Sequence, residues 1–114
     1  MTIKEYQTWT RKLVKYKKSA VEIKNAGLYY VALGLTGESG EVANKVKKIF
    51  RDKDSVVSVE DREDILDEVG DVLYYLARLC DELGGDIQEV INKNVEKLED
   101  RQNRGAISGS GDNR

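Results

Sequence analysis

Four acids in this chain sit where a solvated helix surface does not call for them. Glu38 and Glu41 are three residues apart, and so are Glu68 and Asp71. Glu38 lies three after Leu35 and four before Val42, so helical spacing puts it in the stripe that should face a core. Glu41 follows beside that stripe, one turn on. Glu68 stands in the same way between Ile65 and Val72, with Asp71 at i+3. A carboxylate taken out of water must be paired, protonated or bound to metal. Like charges at this spacing also repel. A divalent cation removes both penalties, and an all-oxygen donor set suits a hard ion, Mg²⁺ first and Mn²⁺ second. The competing reading is four acids on a solvated boundary that bind nothing.

Composition removes most other chemistries. The 114 residues contain no histidine, which excludes Ser-His and Cys-His catalysis and His-ligated zinc or di-iron. Cys80 is the only cysteine, so there is no intramolecular disulfide; within Leu76-Ala77-Arg78-Leu79-Cys80 it reads as a small buried hydrophobe. A net charge of −2, with both signs mixed, argues against nucleic acid as the main partner. No apolar run approaches the ~18 residues of a membrane span. The start, Met1 to Tyr6, lacks the apolar core of a signal peptide. The expected location is cytoplasmic, with no membrane partner.

The elements that must position these acids are helices. Proline is absent and helix formers abound, so the expected fold is all-α. A first helix is predicted from about Thr2 to Lys18, opened by Thr2 with Glu5 as a capping box and carrying Ile3, Tyr6, Leu13 and Tyr16. A second runs from Ala26 or Gly27 to Arg51 on Leu28, Val31, Leu35, Val42, Val46 and Ile49. Gly34, Gly37 and Gly40 interrupt it, each at ~1 kcal/mol relative to Ala. Such a cluster suggests close backbone approach, a kink or room for a ligand. A third runs from Val59 to Leu83, capped by Ser58 with Asp61, on Ile65, Val69, Val72, Leu76, Leu79 and Leu83. Gly84-Gly85 ends it. A fourth, capped by Asp86 with Glu89, runs to about Arg101 on Ile87, Val90, Ile91, Val95 and Leu98. Short connections between long helices imply an antiparallel bundle of about four helices. Residues 1–104 form one domain, and 105–114 a flexible Gly/Ser tail. A core this small predicts an apolar face buried against a second copy, as a homodimer or dimer of dimers.

Gly34-Leu35-Thr36-Gly37-Glu38-Ser39-Gly40-Glu41-Val42, followed by Glu68-Val69-Gly70-Asp71-Val72-Leu73-Tyr74-Tyr75-Leu76, closely resembles the MazG-like nucleoside triphosphate pyrophosphohydrolases. Their signature is E-x-x-E, a variable gap and E-x-x-D; here 26 residues (42–67) fill the gap. The resemblance extends to Asn94-Val95-Glu96-Lys97-Leu98-Glu99-Asp100-Arg101, similar to the family's N-x-x-K-L-x-x-R stretch. One departure is Gly37, where the family often has a further Glu. The resemblance implies a helical fold and Mg²⁺ held by Glu38, Glu41, Glu68 and Asp71. It also implies cleavage between the α- and β-phosphates of NTPs or dNTPs to monophosphate and pyrophosphate, in nucleotide-pool housekeeping. Glu38 and Glu41 are the candidate catalytic residues, with Glu41 the first choice of base for the attacking water. Two other functions stay open: a narrower dUTP or dCTP pyrophosphatase, and a non-enzymatic helical interaction module.

The remaining candidates have two readings each. Lys45 either contacts phosphate or belongs to a solvated lysine face with Lys48. Asn94, between Ile91 and Leu98, is expected to point inward; by resemblance it contacts the nucleotide. Lys97 and Arg101 are candidate phosphate binders or surface charges. Tyr75 lies four after Asp71 on the same face and is a candidate for sugar or phosphate. Trp9, Tyr16, Tyr29 and Tyr30 either stack on a base or fill the core.

Overall fold

The structure, a computed structural model, describes residues 1–16 and 23–113. It is built from α1 (Ile3–Thr10), α2 (Ala26–Asp52), α3 (Val59–Glu82) and α4 (Ile87–Asn103), with no strand among the described residues. The expected caps are present. The Thr2 hydroxyl accepts from the Glu5 N–H while the Glu5 carboxylate accepts from Thr2 N–H, and Ser58 and Asp61 repeat the exchange on α3. Asp86 accepts from the Gln88 N–H at the start of α4. Gly84, at φ +69°, and the Gly85 N–H donating 2.8 Å to the Cys80 carbonyl end α3 as the glycine pair predicts.

The first helix is shorter than its periodicity suggested. It stops at Thr10, tightens into a 3₁₀ turn over Arg11–Leu13 and leaves extended at Val14. The rest of the predicted span, 17 and 18, lies outside the described residues.

The main body is the antiparallel pair α2–α3, joined by the short connection 53–58. Its register can be read from the closest approaches. Gly27 lies against Glu82, Gly34 against Tyr75, Glu38 against Asp71 and Glu68, and Lys45 against Glu68. At the connected end Lys53 pairs with Asp61, whose carboxyl is pushed down to about 2, first by the hydrogen bond from Lys53.

α1 is clamped onto this pair by polar side chains. The buried Gln7 amide donates 2.8 Å to the Gly85 carbonyl and accepts 2.9 Å from the Ile87 N–H, bridging the α3–α4 turn. Arg78 of α3 is almost fully buried. Its guanidinium donates to Thr10 Oγ1 at 3.2 Å, Tyr16 Oη at 3.2 Å and Asp81 at 3.0 Å, and lies 3.6 Å from Glu82. The Tyr16 hydroxyl donates 2.9 Å to Glu82. Arg11 reaches Asp81 with two nitrogens, at 2.7 and 3.0 Å. Asp81 is held below the usual carboxylate range, first by the Arg11 hydrogen bond and, against its partial burial, by Arg78. No buried side-chain polar atom lacks a partner among the described residues.

The apolar core is small. Val31, Ile49, Ala77 and Ile87 are the buried apolar residues among those described. The predicted inward stripe of α3 is split. Ile65, Val72 and Leu79 are half-buried, whereas Val69, Leu76 and Leu83 are exposed with Leu66 and Leu73. On α4, Val90, Ile91, Val95 and Leu98 are exposed, and so is Asn94 beside them, contrary to its expected inward placement. The cause is that α4 packs on α1 and the end of α3 through its first turn and then leaves the pair. The radius of gyration is 17.5 Å, against about 13 Å for a compact domain of this length.

The buried Arg78 cluster predicts a large stability effect from one substitution. Arg78→Leu should lower the unfolding free energy by ~3–5 kcal/mol, because it strands the partners of a buried ion pair. Urea denaturation at fixed protein concentration measures this; a loss below about 1 kcal/mol would show that the cluster is not an anchor.

Candidate metal centre

Glu38 from α2 meets Glu68 and Asp71 from α3. One carboxylate oxygen of each lies within 4.8 Å of the others. Glu68 and Asp71 share a face of α3 because i+3 nearly completes a turn, and the antiparallel register brings Glu38 opposite them. Glu38 and Glu68 are half-buried and Asp71 is exposed. Glu38 is pushed above the ordinary glutamate range, first by burial, then by the charges of Asp71 and Glu68, a hydrogen bond with Glu68, and Glu41. The Lys45 ammonium pairs with Glu68 at 2.9 Å and donates 3.2 Å to the Asp64 carbonyl. Three carboxylates against one ammonium leave the cluster net negative. The donors are all oxygen, and a hard cation with ~2.1 Å bonds spaces its ligands roughly 3–4 Å apart. The trio therefore fits a small divalent ion after minor side-chain adjustment.

Glu41 is not in this cluster. It stands at i+3 from Glu38, the spacing that Asp71 has from Glu68, and its side chain is exposed. Its charge still reaches Glu38. Three of the four expected carboxylates thus converge, with the fourth one turn away.

The aromatic candidates separate into two places. Tyr16, Tyr30, Tyr74 and Tyr75 line a cleft of about 390 Å³ with Leu13 and Lys15. Tyr75 borders the carboxylates: its hydroxyl is pushed up to about 12, first by burial, then by Tyr30 and Glu38. Trp9 lies elsewhere, stacked on Tyr6 at 6.0 Å and lining a cleft of about 480 Å³ with Lys4, Glu5, Thr8 and Lys12. Tyr29 is exposed and lines neither. Tyr6, which the sequence offered only as a stripe residue, sits close enough to Asp71 to feel its charge. Tyr6 carries no sequence signal for this position, since the contact depends on how α1 crosses α3.

The α4 candidates stand apart from the trio. Asn94 and Lys97 line a shallow cleft of about 280 Å³ with Val90 and Lys93. The tail folds back on the end of α4 rather than leaving it. Buried Arg101 donates 2.7 Å to the Asp112 carbonyl, and Arg101 and Lys97 each lie 3.5 Å from its carboxylate.

Residues 29–105 match the MazG nucleotide pyrophosphohydrolase domain. The Gene 37 protein of Mycobacterium phage L5 is 53% identical over 88 residues, covering 77% of each chain. No solved structure matches the chain.

The raised Glu38 gives a signed prediction. Its folded-state pKa exceeds its unfolded value, so its contribution to stability is full below the unfolded pKa and is lost as pH rises through the folded one. Without added metal at pH 7, Glu38→Gln should therefore melt higher than wild type, and the gap should close as pH falls into the carboxylate range. Saturating Mn²⁺ should raise the wild-type melting temperature and barely move Glu38→Gln. A wild-type midpoint indifferent to Mn²⁺ would count against the metal centre.

Proposed function

This chain belongs to the MazG nucleotide pyrophosphohydrolase family, and from that premise we propose that it hydrolyses nucleoside triphosphates to nucleoside monophosphate and pyrophosphate, with Mg²⁺ held by Glu38, Glu68 and Asp71. The observation that carries the reading is the convergence of these three carboxylates from two helices.

Bound there, Mg²⁺ would neutralise phosphate charge and orient the triphosphate, with Mn²⁺ as a substitute. The chain's own residues divide the rest. Glu38, set between Asp71 and Glu68, positions the charge of the cluster. Glu41, exposed one turn away, is free of the trio and is the proposed base that holds the attacking water. Lys45 keeps Glu68 in place and offers a point charge toward phosphate. No described helix is long and apolar enough to cross a membrane, and the proposed role is nucleotide-pool housekeeping.

A second copy of the chain is the proposed cover for the exposed apolar stripes. Leu66, Val69, Leu73 and Leu76 recur at helical spacing on α3, and Ile91, Val95 and Leu98 on α4. A contiguous apolar surface of this kind marks an interface. Covering α4 would also shelter Asn94, which shares that face. Light scattering at micromolar concentration should give a dimer or a dimer of dimers for wild type. Leu73→Asp should lower the mass toward one chain. A wild-type monomer would refute the assembly.

Product analysis tests the chemistry. Each turnover should give one monophosphate and one pyrophosphate, require Mg²⁺ or Mn²⁺, and stop with chelator. In ¹⁸O-water the label should enter the monophosphate, since attack at the α-phosphorus leaves the oxygen with the nucleoside. Glu38→Gln and Asp71→Asn should each cut turnover by at least about 100-fold, on the scale of losing an electrostatic anchor. Nucleoside diphosphate and orthophosphate as first products would reject the assignment.

A further inference from the structure

The three glycines of α2 are not equivalent. Gly37 and Gly40 face open space, and a methyl group at either would touch nothing. Gly34 is different. An added Cβ would collide with Tyr75 Cε1 and Cζ and fall 2.7 Å from Cδ1. The Tyr75 ring lies directly against the α2 backbone, and only glycine permits this. Gly34 is four residues before Glu38, on the same face and one turn from the metal centre.

Tyr75 is then fixed from several sides. Gly34 lies beneath it, the Tyr74 ring meets it edge-on at 5.1 Å and 74°, and it shares a hydrogen bond with Tyr30. Glu38 is near enough to act on its hydroxyl. Tyr30 in turn stacks on Tyr16 at 4.7 Å and 13°, and Tyr16 is tied into the Arg78 cluster. These four rings line the 390 Å³ cleft, with Lys15 at its edge. The volume lies in the range of small-ligand sites, and aromatic faces receive a nucleobase by stacking. Tyr75 is the residue common to the cleft and the edge of the carboxylates.

We infer that the four-tyrosine cleft takes the nucleoside of the substrate, and that Gly34 is a positioning residue that shapes it by letting Tyr75 lie against α2. The inference rests on the pyrophosphohydrolase reading and deepens it. The cleft holds the sugar and base while the charged end of the nucleotide reaches the carboxylates. Trp9 lines a separate cleft.

The test is calorimetric titration of the intact protein, with Mg²⁺ present, by a panel of ribo- and deoxyribonucleoside monophosphates and by pyrophosphate. Wild type, Gly34→Ala, Tyr75→Ala and the double variant are compared. Gly34→Ala should weaken the preferred monophosphate by about tenfold, the order of one lost stacking contact, and leave pyrophosphate affinity unchanged. Tyr75→Ala should do the same. The double variant should bind no worse than Tyr75→Ala, because Gly34 acts only through that ring. It also relieves the collision, so it remains informative if Gly34→Ala alone fails to fold. Unchanged monophosphate affinity in Tyr75→Ala, an equal loss of pyrophosphate affinity, or a double variant weaker than Tyr75→Ala would overturn the inference. So would a wild type that binds no monophosphate. Failure of wild type to hydrolyse any triphosphate would refute the activity alone; the monophosphate titrations would still decide the cleft.

Discussion

Three carboxylates facing one another across a pair of helices repel, and the arrangement of this chain follows from holding them there. Glu38 on α2 cannot move away from Glu68 and Asp71 on α3 because the helices are pinned on both sides of the cluster. Toward the connection, Lys45 binds Glu68 and Lys53 binds Asp61. Away from it, the Tyr75 ring fills the gap at Gly34, and the Arg78 cluster fixes α3 to α1. Exposed pairs such as Lys53–Asp61 contribute little singly. The Arg78 cluster is buried, and its value lies as much in fixing geometry as in stability. The centre is thus a repulsive element bracketed by attractive ones, the state in which a cation is most readily accepted.

The same clamp explains how so small a core suffices to hold α1. Gln7 satisfies two backbone groups of the α3–α4 turn, and Arg11 and Arg78 share Asp81. Polar contacts are directional, so they set the crossing of α1 over α3 more tightly than a few apolar contacts would. That crossing carries Tyr6 to Asp71 and Tyr16 to Tyr30. The position of the aromatic cleft depends on a buried arginine that touches neither the carboxylates nor the cleft's far wall.

Much of this is legible in the sequence, and the failures have physical causes. The caps at Thr2, Ser58 and Asp86, and the ends of α2, α3 and α4, follow from local chemistry and fall within two residues of expectation. Glu38, Glu68 and Asp71 were detectable because stripe register places a residue on a face of its own helix. The same register set Glu41 beside the stripe rather than in it, and Glu41 stands outside the trio. Asn94 was expected inside because Ile91 and Leu98 are apolar. Periodicity marks a face to be covered, not what covers it, and here α4 leaves that face open. The glycine cluster signalled close approach correctly at Gly34 alone, because the contact depends on the Tyr75 rotamer across the helix pair. Arg78, between Ala77 and Leu79, reads as a surface charge until its four partners are assembled from α1, the following segment and α3.

The charge pattern also constrains how a nucleotide can enter. A bare triphosphate approaching Glu38, Glu68 and Asp71 meets like charge, with Lys45 already committed to Glu68. At short range in a partly desolvated site that repulsion outweighs what one lysine returns. On the proposed activity, the triphosphate would therefore arrive with its cation, or find the cation already bound. The base faces no such barrier, because the tyrosine cleft offers stacking surfaces and a lysine at its edge. Entry is directional as a result. In the proposed arrangement, the neutral end of the nucleotide would be received by rings that are fixed before it comes. The charged end would be tolerated only beside a cation held by Glu38, Glu68 and Asp71, so the proposed reaction would orient its phosphorus by exclusion as much as by attraction.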